Sequence, residues 1–436
     1  MSDRRARSVG GVKAGRVSAL ARIAELSVAF VCSNLARAAI GFGLTLVLGR
    51  GLGAARFGGW ILCTTWAATL TFIADLGFGV LLTRDGARPG AQPPLLLAAS
   101  LAWRLALAIP LALVLIVAAP RLASDGELIR GLRAASLLGV AGAAYGCFGA
   151  LLRSQPRWLP RVLGMETAWL AAQVAASWWT VHAGGGIVRL VAVAVAVQGA
   201  QILTAVAIWR PVFGAGAAAP REVRAALVTT LRRALPFAAS GLVANLQARI
   251  APLMLGYLAA PVELGWFTAA SRVGRVARLT PQAIFAGALP VLSHEYARDR
   301  AEARRVSRTL DRALAAAAAC AVVVSLLFAA PLMRLIFGAS FAPAAPSLMW
   351  VAIGLVPSLS NSARKIFLYA AGAESVVVRW SALAVVLEGA AGAALIPALG
   401  SVGAAISAAL AEAAILMPLR KESGEPVKNR ALAVVN

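Results

Sequence analysis

Two histidines and four cysteines are all that this 436-residue chain offers to metal or redox chemistry. His182 and His294 stand far apart in sequence, and Cys32, Cys63, Cys147 and Cys320 lie within apolar stretches without paired ligand spacing. No metal centre, disulfide framework or cofactor is expected from them. Acidic residues are scarce too, 18 against 42 basic ones, and only four of the basic residues are lysines. Charged residues amount to 14% of the chain, too few to cover the surface of an ordinary soluble protein. No segment between apolar runs is long enough for a soluble catalytic domain, and no acid, base or metal constellation gathers at one place, which argues against an enzyme.

What is abundant is hydrophobic: 60% of residues, with a mean hydropathy of +0.79. A helix needs about 20 mainly apolar residues to cross a bilayer core, and about twelve such runs can be counted. The expected fold is therefore an all-α integral membrane protein. The halves also match each other at an offset of 207 residues: Leu48-Gly49, Phe57-Gly58 and Trp60 recur as Leu255-Gly256, Leu264-Gly265 and Phe267. Such a repeat implies two six-helix lobes facing each other across a central path. The expected division is a basic tail over residues 1–23, a lobe over 24–209, a linker over 210–234, a second lobe over 235–419 and a tail over 420–436.

An even number of spans puts both termini on one side. That side carries 26 basic residues in its loops and tails against 7 on the other, so the termini are expected in the cytoplasm. A net charge of +24 invites a nucleic-acid reading. The basic residues are instead dispersed over short loops without a binding module, which suits topology and contact with anionic membrane lipids.

The informative charges are those inside spans, since an arginine facing lipid at the bilayer centre costs at least about 2.5–3.5 kcal/mol on insertion scales. Arg272, Arg275 and Arg278 stand at i, i+3 and i+6 of the eighth span and share an arc of about 120°. At 1.5 Å per residue they reach roughly 10–20 Å inward from Gly265, too deep for all three to snorkel. Arg37 in the first span and Arg249 in the seventh occupy corresponding helices of the repeat. Each of these is read either as a ligand for an anion in a wet cavity or as half of a structural pair with Asp75, Glu166, Glu388 or Glu412. Arg104 is read mainly as such a pair, because its span shows no other sign of facing the centre. Asn34, Asn245, Gln247 and Asn361 lie on the same group of spans, able to bind a sugar or bridge helices. Gln173, Gln198 and Gln201 are read as packing. Asp75 stands at a helix-packing turn or at a coupling-ion site.

Phe57-Gly58-Gly59-Trp60, Ala74-Asp75-Leu76-Gly77 and Arg84, together with Leu235-Pro236-Phe237, Leu264-Gly265-Trp266-Phe267-Thr268-Ala269-Ala270-Ser271-Arg272, Leu289-Pro290 and Ala370-Ala371-Gly372, resemble the Wzx-type oligosaccharide flippases of bacterial polysaccharide export. Such flippases serve O-antigen and exopolysaccharide export and sit within the MATE-like MOP exporter superfamily. The resemblance spans roughly residues 20–420. It implies a MATE-like architecture in the bacterial inner membrane and alternating access that carries a polyprenyl-pyrophosphate-linked oligosaccharide outward. It also implies polysaccharide polymerase or export machinery as partners, and Arg37, Arg249, Arg272 and Arg275 as the positions available to the pyrophosphate.

A cation-drug antiporter of the same superfamily would share the architecture, but its path should offer carboxylates where this one offers arginine. A peptidoglycan-precursor flippase is the nearer alternative, though that family implies two further spans. A membrane glycan polymerase or glycosyltransferase lacks the catalytic residues it would need.

Overall fold

A computed structural model describes residues 3–214, 216, 218–275, 292, 296 and 298–424. Arg278, Leu289-Pro290 and His294 lie outside the described residues. The described backbone is helical throughout, with short turns between helices and no strand among the described residues.

The elements are α1 (Asp3–Asp75), α2 (Phe78–Gly86), α3 (Pro93–Leu122), α4 (Gly126–Arg153), α5 (Leu159–His182), α6 (Ile187–Phe213) and α7 (Pro220–Leu258). They continue with α8 (residues 261–275, where its described part ends), α9 (Arg300–Phe337), α10 (Ala345–Ala370) and α11 (Glu374–Gly424), a short 3-10 turn at Ala339–Ala344 preceding α10. Two helices are broken. α1 turns at Gly53, whose φ of 72° is open to glycine at little cost, and α11 breaks at Gly400. α2 continues the second limb of α1 past the turn at Leu76 and Gly77. With both breaks counted and α2 taken with the second limb of α1, the described helices number twelve, and seven helices are long and apolar enough to cross a membrane. α7 opens at Pro220, inside the segment read from sequence as linker, because Pro220 at the first turn and Glu222 two residues on are favourable N-terminal residues.

Within the first half α1 packs on α4 and α5, and α4 on α3 and α6. Within the second, α10 packs on α9 and α11, and α11 on α7. The α10–α11 turn and the described end of α11 lie at one end of the bundle, called here the terminal end, and Gly53, the α7–α8 turn and Gly400 lie at the other, the distal end.

The repeated sequence motif builds the distal end. Leu48, Phe57, Trp60, Leu255, Leu264 and Phe267 are all buried in one continuous core, which also takes in Phe337 and Phe341 from α9 and the turn after it. Phe57 meets the Phe341 ring edge-on at 5.9 Å, a geometry that adds about 0.5–1.5 kcal/mol to the burial itself. Gly58 and Gly265, one repeat apart, are the points of closest approach. A Cβ on Gly58 would stand 1.7 Å from the Pro261 carbonyl oxygen, and one on Gly265 would stand 2.2 Å from that of Ala54. Two helices thus touch backbone to backbone, which small residues alone permit.

Carboxylates lock the same end. Glu127 accepts the Ile187 amide at 2.7 Å and Glu263 accepts the Ser401 amide at 2.7 Å. Each thereby places a negative charge on the positive N-terminus of the last span of its half. At the terminal end, by contrast, the buried clusters mostly stay within one half. The exception joins Phe78, Leu81 and Ala234 across α2 and α7, beside the ion pair of Arg233 with Asp85.

Candidate functional site

Between the halves lies a cavity of about 1030 Å³ lined by residues from α1 to α8, α10 and α11. The ionised side chains on its wall are Arg104, Arg153, Arg249, Arg272 and Arg275 against Asp75, Glu388 and Glu412. Among the described residues five arginines thus face three carboxylates, where the sequence suggested a path that offers mostly arginine.

The two halves handle charge differently. In the first, guanidinium groups are paired. Arg104, 3% exposed, forms an ion pair with Asp75 and donates to the Ala143 carbonyl at 3.1 Å. Gly146 on the facing helix leaves it room, since a Cβ there would lie 2.1 Å from Arg104 Nη1. Asp75 also accepts the Gly79 amide at 3.1 Å, so it anchors the turn between α1 and α2 as well. Glu166, nearly fully buried, gathers Arg37 at 2.7 Å, Arg153, and the Tyr145 hydroxyl at 3.0 Å.

In the second half Arg249 and Arg272 make no ion pair among the described residues. Arg249 donates to Asn245, a neutral partner, and stands over the Phe72 ring at 5.8 Å. Arg272 is half-buried, and its Nε has no hydrogen-bond partner among the described residues. A guanidinium does not deprotonate in proteins, so these positive charges persist. Burying one without an anion is costly. The wall, otherwise largely apolar, also carries Thr268 and Ser271 on α8 and Gln198 and Gln201 on α6.

The sequence candidates therefore separate by position. Arg249, Arg272, Arg275, Asn245, Gln247 and Asp75 line the cavity. Arg37 is tied to Glu166 and is not on the cavity wall. Asn34 is exposed on α1 away from it, and Asn361 is buried, donating to Glu412 at 2.8 Å. Arg278 lies outside the described residues. Tyr145 and Arg153, neither of them a sequence candidate, also line the cavity. So do Gln173, Gln198 and Gln201, which had been read as packing.

The pairing of Arg104 with Asp75 carries an expected result. Asp75→Ala leaves a buried cation alone, a loss of about 3–5 kcal/mol for pairs of this kind, and membrane abundance and unfolding temperature should fall. Replacing both, as Asp75→Ala with Arg104→Met, should recover most of the loss. Full abundance of the single variant together with arrested transport would instead assign Asp75 to ion coupling.

The profile of the polysaccharide biosynthesis protein family matches residues 27–296, more than half of the chain. The chain belongs to this family. No curated protein sequence matches it. Among solved structures it is similar to a multidrug resistance MATE family transporter of the MOP superfamily in its inward-facing conformation. The TM-score is 0.69 at 16% identity, over 89% of this chain and 94% of that one. It is also similar to the lipid II flippase MurJ in an inward closed conformation, with a TM-score of 0.68 at 12% identity over 92% and 88% of the two chains. An outward-facing MATE family transporter of the MOP superfamily gives 0.53 at 15% identity, over 92% and 95%. These likenesses fix a MATE-like fold. The family member described here is a multi-pass membrane protein built as transporters and flippases are.

Proposed function

We propose that this polysaccharide biosynthesis protein moves a polyprenyl-pyrophosphate-linked oligosaccharide across the bacterial inner membrane by alternating access, with its termini in the cytoplasm and residues 24–209 and 235–419 as the two moving lobes. The observation that carries this reading is the pair Arg249 and Arg272. Both face a cavity wide enough for a glycan, both are permanently charged, and neither is neutralised by a carboxylate among the described residues. A pyrophosphate supplies the missing anion, and guanidinium forks grip its oxygens through paired hydrogen bonds. The glutamine, threonine and serine side chains around them suit sugar hydroxyls. With the terminal end taken as cytoplasmic, the fused core at the distal end supports a molecule closed outward, and the terminal end, held across the halves mainly by the contacts of α7 with α2 and α3, is the side from which it would load.

Reconstitution in liposomes tests the substrate. A fluorescent polyprenyl-pyrophosphate glycan should cross protein-dependently, and a soluble pyrophosphate ester should inhibit it. Extrusion of a lipophilic cation with no movement of the glycolipid would overturn the reading in favour of a drug antiporter. Orientation is checked independently. Reporters active on one side of the membrane, fused at Arg221 and at Arg334, should give a cytoplasmic signal at Arg221 and a periplasmic one at Arg334.

A further inference from the structure

A second cavity, of about 540 Å³, opens among α9, α10 and α11 at the terminal end and shares no lining residue with the central one. Arg304, Arg308 and Arg312 stand at i, i+4 and i+8 of α9 and so occupy an arc of about 80° on one helical face. Arg364 from α10 and Arg420 from α11 converge on the same space. Five guanidinium groups thus meet one carboxylate, Asp311, which pairs with Arg364 at 2.9 Å.

That single pair leaves donors unused. Arg304 Nε and Arg364 Nη1 are buried and have no hydrogen-bond partner among the described residues. Five like charges repel one another across so small a volume, and a buried donor without an acceptor costs free energy. No further carboxylate lies on the wall among the described residues. The hydroxyls of Ser307 and Ser423 also line the space. Guanidinium forks with flanking hydroxyls form the donor set that phosphate oxygens fill. The cavity sits where the apolar part of α9 gives way to its arginine-rich start, the depth of a lipid headgroup.

We infer that this cavity binds a phosphate-bearing anion, separate from any cargo of the central cavity: an anionic phospholipid headgroup or a free phosphate from the cytoplasm. The site is independent of which substrate the protein moves. Arg308 and Arg420 are exposed and make no ion pair among the described residues, so Arg308→Gln with Arg420→Gln removes charge without opening a buried pair. Arg304→Gln serves as a second variant that removes one of the unused buried donors.

Two arms separate the sources. In the first, full-length protein is placed in phosphatidylcholine bilayers containing phosphatidylglycerol, and co-purified phosphatidylglycerol is counted by mass spectrometry. In the second, radiolabelled inorganic phosphate is titrated onto detergent-solubilised protein. Neither Arg308 nor Arg420 lines the central cavity, so the difference between wild type and the double variant reports this site alone. Loss of two charge-assisted contacts should weaken retention by about tenfold or more, while the ligand-free unfolding temperature stays at the wild-type value. A difference in the first arm assigns the site to a lipid headgroup, and one in the second assigns it to a soluble phosphate. Equal retention by wild type and both variants in both arms overturns the inference.

Discussion

Arg249→Ala combined with Arg272→Ala is expected to abolish glycolipid translocation while leaving the protein in the membrane at normal abundance. Each arginine is placed to donate charge-assisted hydrogen bonds, worth about 1.5–3 kcal/mol apiece, so each single substitution should slow translocation about 10- to 150-fold. The expectation of normal abundance rests on neither arginine having a carboxylate partner among the described residues: removing either side chain strands no buried anion there. The contrast with Arg104 is the internal control, because its removal does strand Asp75. Lysine at position 272 should recover activity only in part, since an ammonium keeps the charge but loses the planar fork. The measurement is the rate of glycolipid appearance in the outer leaflet, normalised to protein. Wild-type rates in the double variant would remove the anion cradle. A collapse in abundance would show that these arginines hold the helices together.

The twelve spans were legible because lipid demands long apolar helices, and length and hydropathy are properties of the sequence alone. The repeat was legible for a related reason. Leu48, Phe57, Leu255 and Leu264 pack into a single core, and the glycines beside Phe57 and Leu264 are held by contacts that no larger residue tolerates. The rotation of each helix about its axis was less legible. An apolar face turned to lipid and one turned to a neighbouring helix have the same composition, so α3 gave no sign that Arg104 points to the centre. Glycines carried the missing signal. On α4, Gly139, Gly142 and Gly146 lie against Leu70, Thr71 and Arg104 in turn, and a stripe of small residues opposite a buried arginine marks where that arginine goes. Arg153 was hidden for another reason. A cation at the last residue of a span serves topology in most membrane proteins, and only Glu166, folded back from α5, turns it toward the cavity. The same glutamate holds Arg37 away from the cavity wall, a partnership 129 residues apart in sequence.

Gly58→Ala, a change of one methyl group, is expected to shift the protein out of the conformation in which its distal end is closed. In an unconstrained helix this substitution stabilises by about 0.5–1 kcal/mol, because alanine loses less backbone freedom than glycine on folding. Here the new Cβ would meet the Pro261 carbonyl oxygen at 1.7 Å and the Gly265 amide nitrogen at 2.9 Å. Both are backbone atoms, so no rotamer change gives relief and the two helices must separate. Overpacking of this kind costs about 1–3 kcal/mol, equivalent to about a 5- to 150-fold loss in the population of the sealed conformation. Gly265→Ala should act alike, since its Cβ would meet Ala54 from the other side of the same contact. The halves themselves need not unfold, because the clash lies at the joint between them. Spin labels at Ala55 and Ala260, both exposed beside the joint, should report a longer and broader distance distribution in either variant, and translocation should fall at least tenfold. An unchanged distance with undiminished transport would mean that the distal contact does not govern access. A rise in unfolding temperature with no other change would reduce Gly58 to an ordinary helix glycine.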